Sequence, residues 1–319
     1  MKRINFFFIP MLLAVLISPL VFSGCDPTVN TGVFTTPPAG DDELTPAQLA
    51  SFLNTAINKH RSLNTYKYTM GSLTTSEIIG GNQAGKITVD SVTTGASNKA
   101  AEEMLMSIQF TIGTSGAIPE APWEWQNMVQ EFYVLPDWLY IKVDVQDLGV
   151  TWGKTTLEQN KKQLDKLDNI DNQINTLESP DKIEYIGSAK VDGVDCFILA
   201  VTPNNDRLID WLKQTSSGSI EPDWDEVAQV AQGIKKMAYT CYITKDSHIL
   251  ARMVVDMEML FLPEMIGADV TDFETMSIDT AVDLKLYDFD IAWNITLPPE
   301  ASSAIWLTDD NYNSFAPMQ

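Results

Sequence analysis

Between residues 249 and 261 the chain places Met253, Val255, Met257, Met259 and Phe261 at alternate positions, with Arg252, Val254, Asp256 and Glu258 between them. Successive side chains of an extended strand point to opposite faces, so this pattern specifies a strand with one apolar face and one mostly polar face. Met104, Met106, Ile108, Phe110 and Ile112 repeat the theme, as do Tyr66, Tyr68 and Met70. Around residues 138 to 143, Trp138 and Tyr140 alternate with Leu139, Ile141 and Val143. Ile183, Tyr185 and Ile186, then the segment from Val194 to Val201, flank Val191-Asp192-Gly193, which reads as a hairpin turn. Longer strand segments are expected at 236 to 245, 248 to 261 and roughly 272 to 295. Such a chain folds as an antiparallel sheet.

Two segments change period. Thr45 is placed to cap a helix and Pro46 suits its first turn, while Leu49, Phe52, Leu53, Ala56 and Ile57 fall on one helical face. Leu157, Leu164, Leu167, Ile170, Ile174 and Leu177 predict a second helix between Thr155 and Leu177. Its aspartates lack the glycine and closing glutamate of a calcium loop, so they read as a solvated face and no metal is assigned. Between 204 and 233 the alternation stops, and two short helices are expected as an excursion from the sheet.

The first 24 residues read as an export signal. Lys2 and Arg3 precede an apolar run from Phe6 to Phe22, and Ser23-Gly24 supplies small residues before Cys25. Pro10, Pro19 and that small-residue end argue against a membrane span. Residues 25–44, rich in Thr, Pro and Gly, form a flexible tether, enough to hold a domain about 25 Å from a membrane. The folded domain is expected over 45–301, with 302–319 as a polar tail.

The chain carries 21 basic against 43 acidic side chains, and loss of the leader would remove Lys2 and Arg3. A surface this acidic repels phosphate backbones and lacks the basic stripe that nucleic-acid binding needs. Cys196 and Cys241 both lie in strand-like segments. In an oxidising compartment they either bridge, closing a loop of about 45 residues for roughly 4 kcal/mol, or pack as two buried thiols.

No G-x-S-x-G elbow, H-E-x-x-H helix, P-loop or dinucleotide fingerprint occurs. His60, on the first helix, and His248, in a turn, have no metal-ligand spacing around them. The reading is therefore non-catalytic, with no cofactor. The methionine-bearing faces, Met104, Met106, Ile108 and Phe110 with Met253, Val255, Met257, Met259 and Phe261, are the candidate hydrophobic cavity. Methionine is flexible and polarisable and suits a variable apolar ligand; the alternative is that these faces are core under the helices. Pro119 to Trp125, with two tryptophans, reads as a lip folded back on the rim of the domain or touching a membrane.

Val21-Phe22-Ser23-Gly24-Cys25 resembles the bacterial lipobox, which makes Cys25 the expected lipid attachment site. The order of features that follows resembles the LppX/LprG-type lipoproteins, related in fold to the carriers LolA and LolB. Those features are a tether, an amphipathic helix, and the strand Trp138-Leu139-Tyr140-Ile141 running to Trp152-Gly153-Lys154. Next come a helical stretch, the hairpin from Tyr185-Ile186-Gly187 to Cys196-Phe197, the strand-turn-strand from Cys241 to Arg252-Met253, and Ile295-Thr296-Leu297-Pro298-Pro299. The resemblance implies an α+β fold: a strongly curved antiparallel sheet, an unclosed half-barrel, with helices covering the concave face. It also implies a lipid or glycolipid ligand, held without chemistry at the extracytoplasmic face of a bacterial membrane to which Cys25 anchors the chain. The competing expectation is a surface module that binds protein or cell-wall material and has no internal ligand. No protein partner is identified by the sequence.

Overall fold

The structure, a computed structural model, describes residues 45–82, 84–118, 127–145, 149–158, 170, 174, 176–204, 232–266 and 273–308. The expected leader and tether, the tryptophan-bearing loop and nearly all of the expected 204–233 excursion lie outside the described residues.

The described chain opens with helix α1 (Pro46–Ser62). Its start is fixed by a reciprocal cap: the Gln48 amide donates to Thr45 Oγ1 at 3.3 Å, and the Thr45 amide donates to Gln48 Oε1 at 2.8 Å. Six strands follow as a meander: β1 (Thr65–Ile79), β2 (Gly85–Asn98), β3 (Glu103–Gly116), β4 (Met128–Val134), β5 (Trp138–Val145) and β6 (Gly149–Thr156). A second meander comprises β7 (Lys182–Val191), β8 (Val194–Thr202), β9 (Ile234–Thr244), β10 (Leu250–Phe261) and β11 (Thr275–Tyr287). A two-residue strand, β12 (Ile305–Trp306), follows last in the chain and pairs with β6.

Antiparallel pairing of β1 with β11 joins the two meanders into one sheet of order β12-β6-β5-β4-β3-β2-β1-β11-β10-β9-β8-β7. Among the described pairings only β12–β6 is parallel. The edge strands β7 and β12 do not meet among the described pairings, so the sheet is unclosed and fits a half-barrel. Asp192 and Gly193 both have positive φ, 49° and 87°, as the tight β7–β8 hairpin requires.

The apolar face of α1, Leu49, Leu53, Ala56 and Ile57, packs on one face of the sheet near β7 and β10. Ile170, Ile174 and Leu177 join the same core, as the predicted second helical stripe requires; residues 159–169, 171–173 and 175 of that stretch are outside the described residues.

The last long strand is shorter than the alternation suggested. It stops at Tyr287 because Asp288 and Asp290 take positive φ, 53° and 54°. Asp290 then turns back on the start of β1: its amide donates to the Thr65 carbonyl, and its carboxylate accepts from the Asn64 amide, both at 2.8 Å. The following segment crosses the sheet face opposite α1, where Ile295, Leu297, Ala301 and Ala304 pack with Tyr133 and Trp152. It rounds the edge as β12 and delivers Leu307 to the α1-side face. Ile305 and Trp306, expected as part of a polar tail, thus pair with β6, and Leu307 packs in the core.

Candidate functional site

The two methionine faces named from sequence lie on the same face of the sheet. One row of paired residues makes this explicit: Cys241, Met253, Leu284, Met70, Thr93, Ile108, Gln130 and Val143 stand side by side from β9 to β5. At about 4.8 Å per strand, β10 and β3 are roughly 19 Å apart along that row. Because side chains alternate, every second residue on either side of the row shares the face. Met104, Met106, Ile108 and Phe110 on β3 and Met253, Val255, Met257, Met259 and Phe261 on β10 are all buried there, Met253 and Phe261 completely.

They form two apolar clusters rather than one. The β10 residues pack with α1, β8, β9, β11 and, on β1, with Tyr66, Tyr68, Met70 and Ile78 at its two ends. The β3 residues pack with Met128 and Val134 of β4, with Leu139, Ile141, Val143 and Val145 of β5, and with Leu307. Between the clusters the same face carries Ser72, Thr74 and Ser76 of β1, Ser91 and Thr93 of β2, and Thr280 of β11, all buried. Ser72 and Ser91 hydroxyls pair at 3.4 Å, and those of Thr74 and Thr280 at 3.2 Å.

From β10 to β5 the charged side chains of the described residues are kept to the opposite face. Arg252 donates to Asp283 through two bonds of 2.6 and 2.7 Å, and its guanidinium lies over Tyr242 at 5.1 Å. Lys142 pairs with Glu131 at 2.8 Å, and Tyr133 donates to that carboxylate at 2.6 Å. Burial, then the Glu131 hydrogen bond, raises the Tyr133 hydroxyl above its ordinary range. A depression of about 210 Å³ lined by Leu73, Thr75, Lys236, Asp256, Glu258 and Asp279, among others, also lies on this side. Its polar, charged lining is not the apolar chamber that the methionine faces predict.

The bridge between Cys196 and Cys241 is overturned. Both thiols are free and buried. In the β8–β9 ladder Cys196 stands opposite Thr244, and Cys241 opposite Leu199. Three residues of offset on adjacent strands put them on opposite faces, where no backbone-preserving rotamer joins them. Cys241 belongs to the α1-side core; Cys196 packs behind the sheet with Val191, Ile198, Tyr242 and Ala251. Burial pushes the Cys241 thiol up to about 12 and raises that of Cys196.

His60 is buried beside Tyr66, with ring centroids 5.0 Å apart, and His248 meets Phe52 edge-on at 5.0 Å. Among the described residues no three His, Cys, Asp or Glu side chains are grouped to hold a metal ion. Among them, too, no helix is long and apolar enough to cross a membrane.

The model of a family of unknown function, DUF6612, matches residues 48–305, the span from α1 to β12 that builds this sheet. The chain belongs to the DUF6612 family. No curated protein matches it. Among solved structures, this DUF6612 chain is similar to LprF from Mycobacterium bovis, with a TM-score of 0.41 and 14% identity over 79% of this chain and 97% of that one. It is also similar to the lipoprotein LppX of Mycobacterium tuberculosis, with a TM-score of 0.37 and 12% identity over 79% of this chain and all of the other. At these TM-scores no ligand or partner passes from them to the DUF6612 chain.

The hydroxyl residues of β1 and β2 were not singled out by the sequence reading. Only the Ser and Thr at alternate positions 91, 93 and 97 of β2, and 72, 74 and 76 of β1, hinted at a face of their own.

Proposed function

We propose that this chain is a membrane-anchored extracytoplasmic lipoprotein that binds or carries a lipid or another hydrophobic ligand, without catalysis. The observation that carries the reading is the single uncharged, methionine-rich face spanning β10 to β3 in an unclosed sheet. On this reading that face is the concave one, covered by α1 and by Ile170, Ile174 and Leu177. Methionine side chains re-pack around an acyl chain with little strain, because an unbranched thioether has many accessible rotamers. Lipid on Cys25 and the tether of residues 25–44 hold the domain near a bilayer. Two or more acyl chains, at about 0.8 kcal/mol per buried methylene, make such an anchor lasting.

The test is native mass spectrometry of the chain from Asp41 onward, purified without detergent, beside an organic extract of the same sample. Near-stoichiometric co-purifying lipid supports the carrier. A domain that is empty and also takes up no added acyl probe replaces it with a surface module whose apolar face is only core. For the anchor, labelled palmitate should enter the full chain and fail to enter Cys25→Ala; equal labelling of both removes Cys25 as the attachment site.

A further inference from the structure

Resting on the carrier reading, we propose that the hydroxyl seam between the two apolar clusters is the docking site for the polar, ester-bearing centre of a two-armed acyl ligand. One arm would lie on the β10 methionine face and the other on the β3 face. The seam consists of Ser72, Thr74, Ser76, Ser91, Thr93 and Thr280, each 5% exposed or less. Four of the six hydroxyls pair with one another. Thr93 is different: it is 1% exposed, and its Oγ1 has no hydrogen-bond partner.

Position gives that orphan hydroxyl its meaning. Thr93 stands between Met70, in the β10 cluster, and Ile108, in the β3 cluster, on the face they share. A buried hydroxyl without a partner costs free energy that a purely apolar side chain would avoid, so a sheet optimised only for packing would place Val here. A ligand carbonyl over Thr93 would accept its proton in a site closed to water, where such a bond is strongest. The other members of the seam are serines and threonines, so the relief of the sheet is low where a branched centre is bulkiest, while beyond Thr93 the Tyr68 ring covers Gly95 and bounds the seam. Among the described residues this face carries no charged side chain from β10 to β3, which fits a neutral ester better than a charged headgroup.

The experiment uses the full exported chain carrying Cys25→Ser, so that its own acyl chains are absent. Binding of dioleoylglycerol, its dioleyl ether analogue and oleic acid is measured for it and for the same chain with Thr93→Val or Thr93→Ser. The ester lipid should bind better than the ether analogue. Thr93→Val, which keeps the shape and removes the hydroxyl, should weaken ester binding about fivefold and leave ether binding unchanged, while Thr93→Ser retains the preference. Equal binding of ester and ether by the Thr93-containing chain overturns the seam whether or not Thr93→Val folds, as does a Thr93→Val chain that binds the ester undiminished; in both cases the carrier stands. Failure of the Thr93-containing chain to bind any of the three probes removes the carrier itself.

Discussion

Tyr68 on β1 lies against the bare Cα of Gly95 on β2: a Cβ built on Gly95 would collide with Cζ, Cε1 and Oη of the Tyr68 ring. The two residues are directly paired across the ladder, and Met106 completes the row on β3. The glycine is therefore required by a close approach, and its φ is not in the left-handed region.

Gly95→Ala is expected to destabilise the fold by about 1–3 kcal/mol, because Tyr68 is buried and has little room to move. Urea unfolding checks this. A double variant with Tyr68→Ala should recover part of the Gly95→Ala loss, since the clash then has no second member; strict additivity would mean that the ring is not what the methyl meets.

The two thiols should remain unmodified by a thiol reagent in the native state and react on unfolding, with no bridge found under non-reducing conditions. Cys241 also sets an alkaline limit. Its folded pKa of about 12 lies above the ordinary value of 9.0, so its contribution is complete below pH 9 and is lost as pH rises from 9 towards 12. Stability measured across that window should fall by about 1.4 kcal/mol per pH unit from this group, and Cys241→Ala should flatten the slope.

Arg252→Lys should lose more than its unchanged charge suggests. A lysine has one ammonium for the two bonds to Asp283 and does not stack on Tyr242 as a planar guanidinium does. With Arg252 and Asp283 side chains 30% and 21% exposed, the expected cost is about 1 kcal/mol, read from the urea midpoint. No shift in the midpoint would make the pair a surface ornament of the folded chain.

Leu307→Ala should cost about 2–5 kcal/mol, as expected for a leucine that is 2% exposed among core residues. The same substitution at exposed Ile305 should cost far less. Thermal or urea denaturation of the two variants compares them directly; equal effects would mean that the C-terminal strap does not clamp the sheet through Leu307.

Sequence periodicity made β3, β5, β8, β9 and β10 legible, because each has apolar residues at every second position on a buried face. Helix α1 was equally plain from Thr45, Pro46 and its leucine stripe. β2 was not legible as a strand: its α1-side positions include Ser91, Thr93, Gly95 and Ser97, and a pattern search keyed to apolar residues passes over them. The strap after Tyr287 was read as more strand because its residues suit an extended chain; the turn at Asp288 to Asp290 depends on bonds to Asn64 and Thr65, more than 200 residues away.

The sequence by itself determined the local conformations and which side chains must leave water, since alternation, capping and hydrophobicity act between near neighbours in the chain. Register between distant strands was decided only by tertiary structure. The β1–β11 pairing joined two meanders into one sheet and put both methionine sets on one face with a hydroxyl seam between them. The β8–β9 register separated Cys196 from Cys241 by the thickness of the sheet. A shift of one residue exchanges the faces of a strand, so which residues meet is set by the packing of the whole sheet.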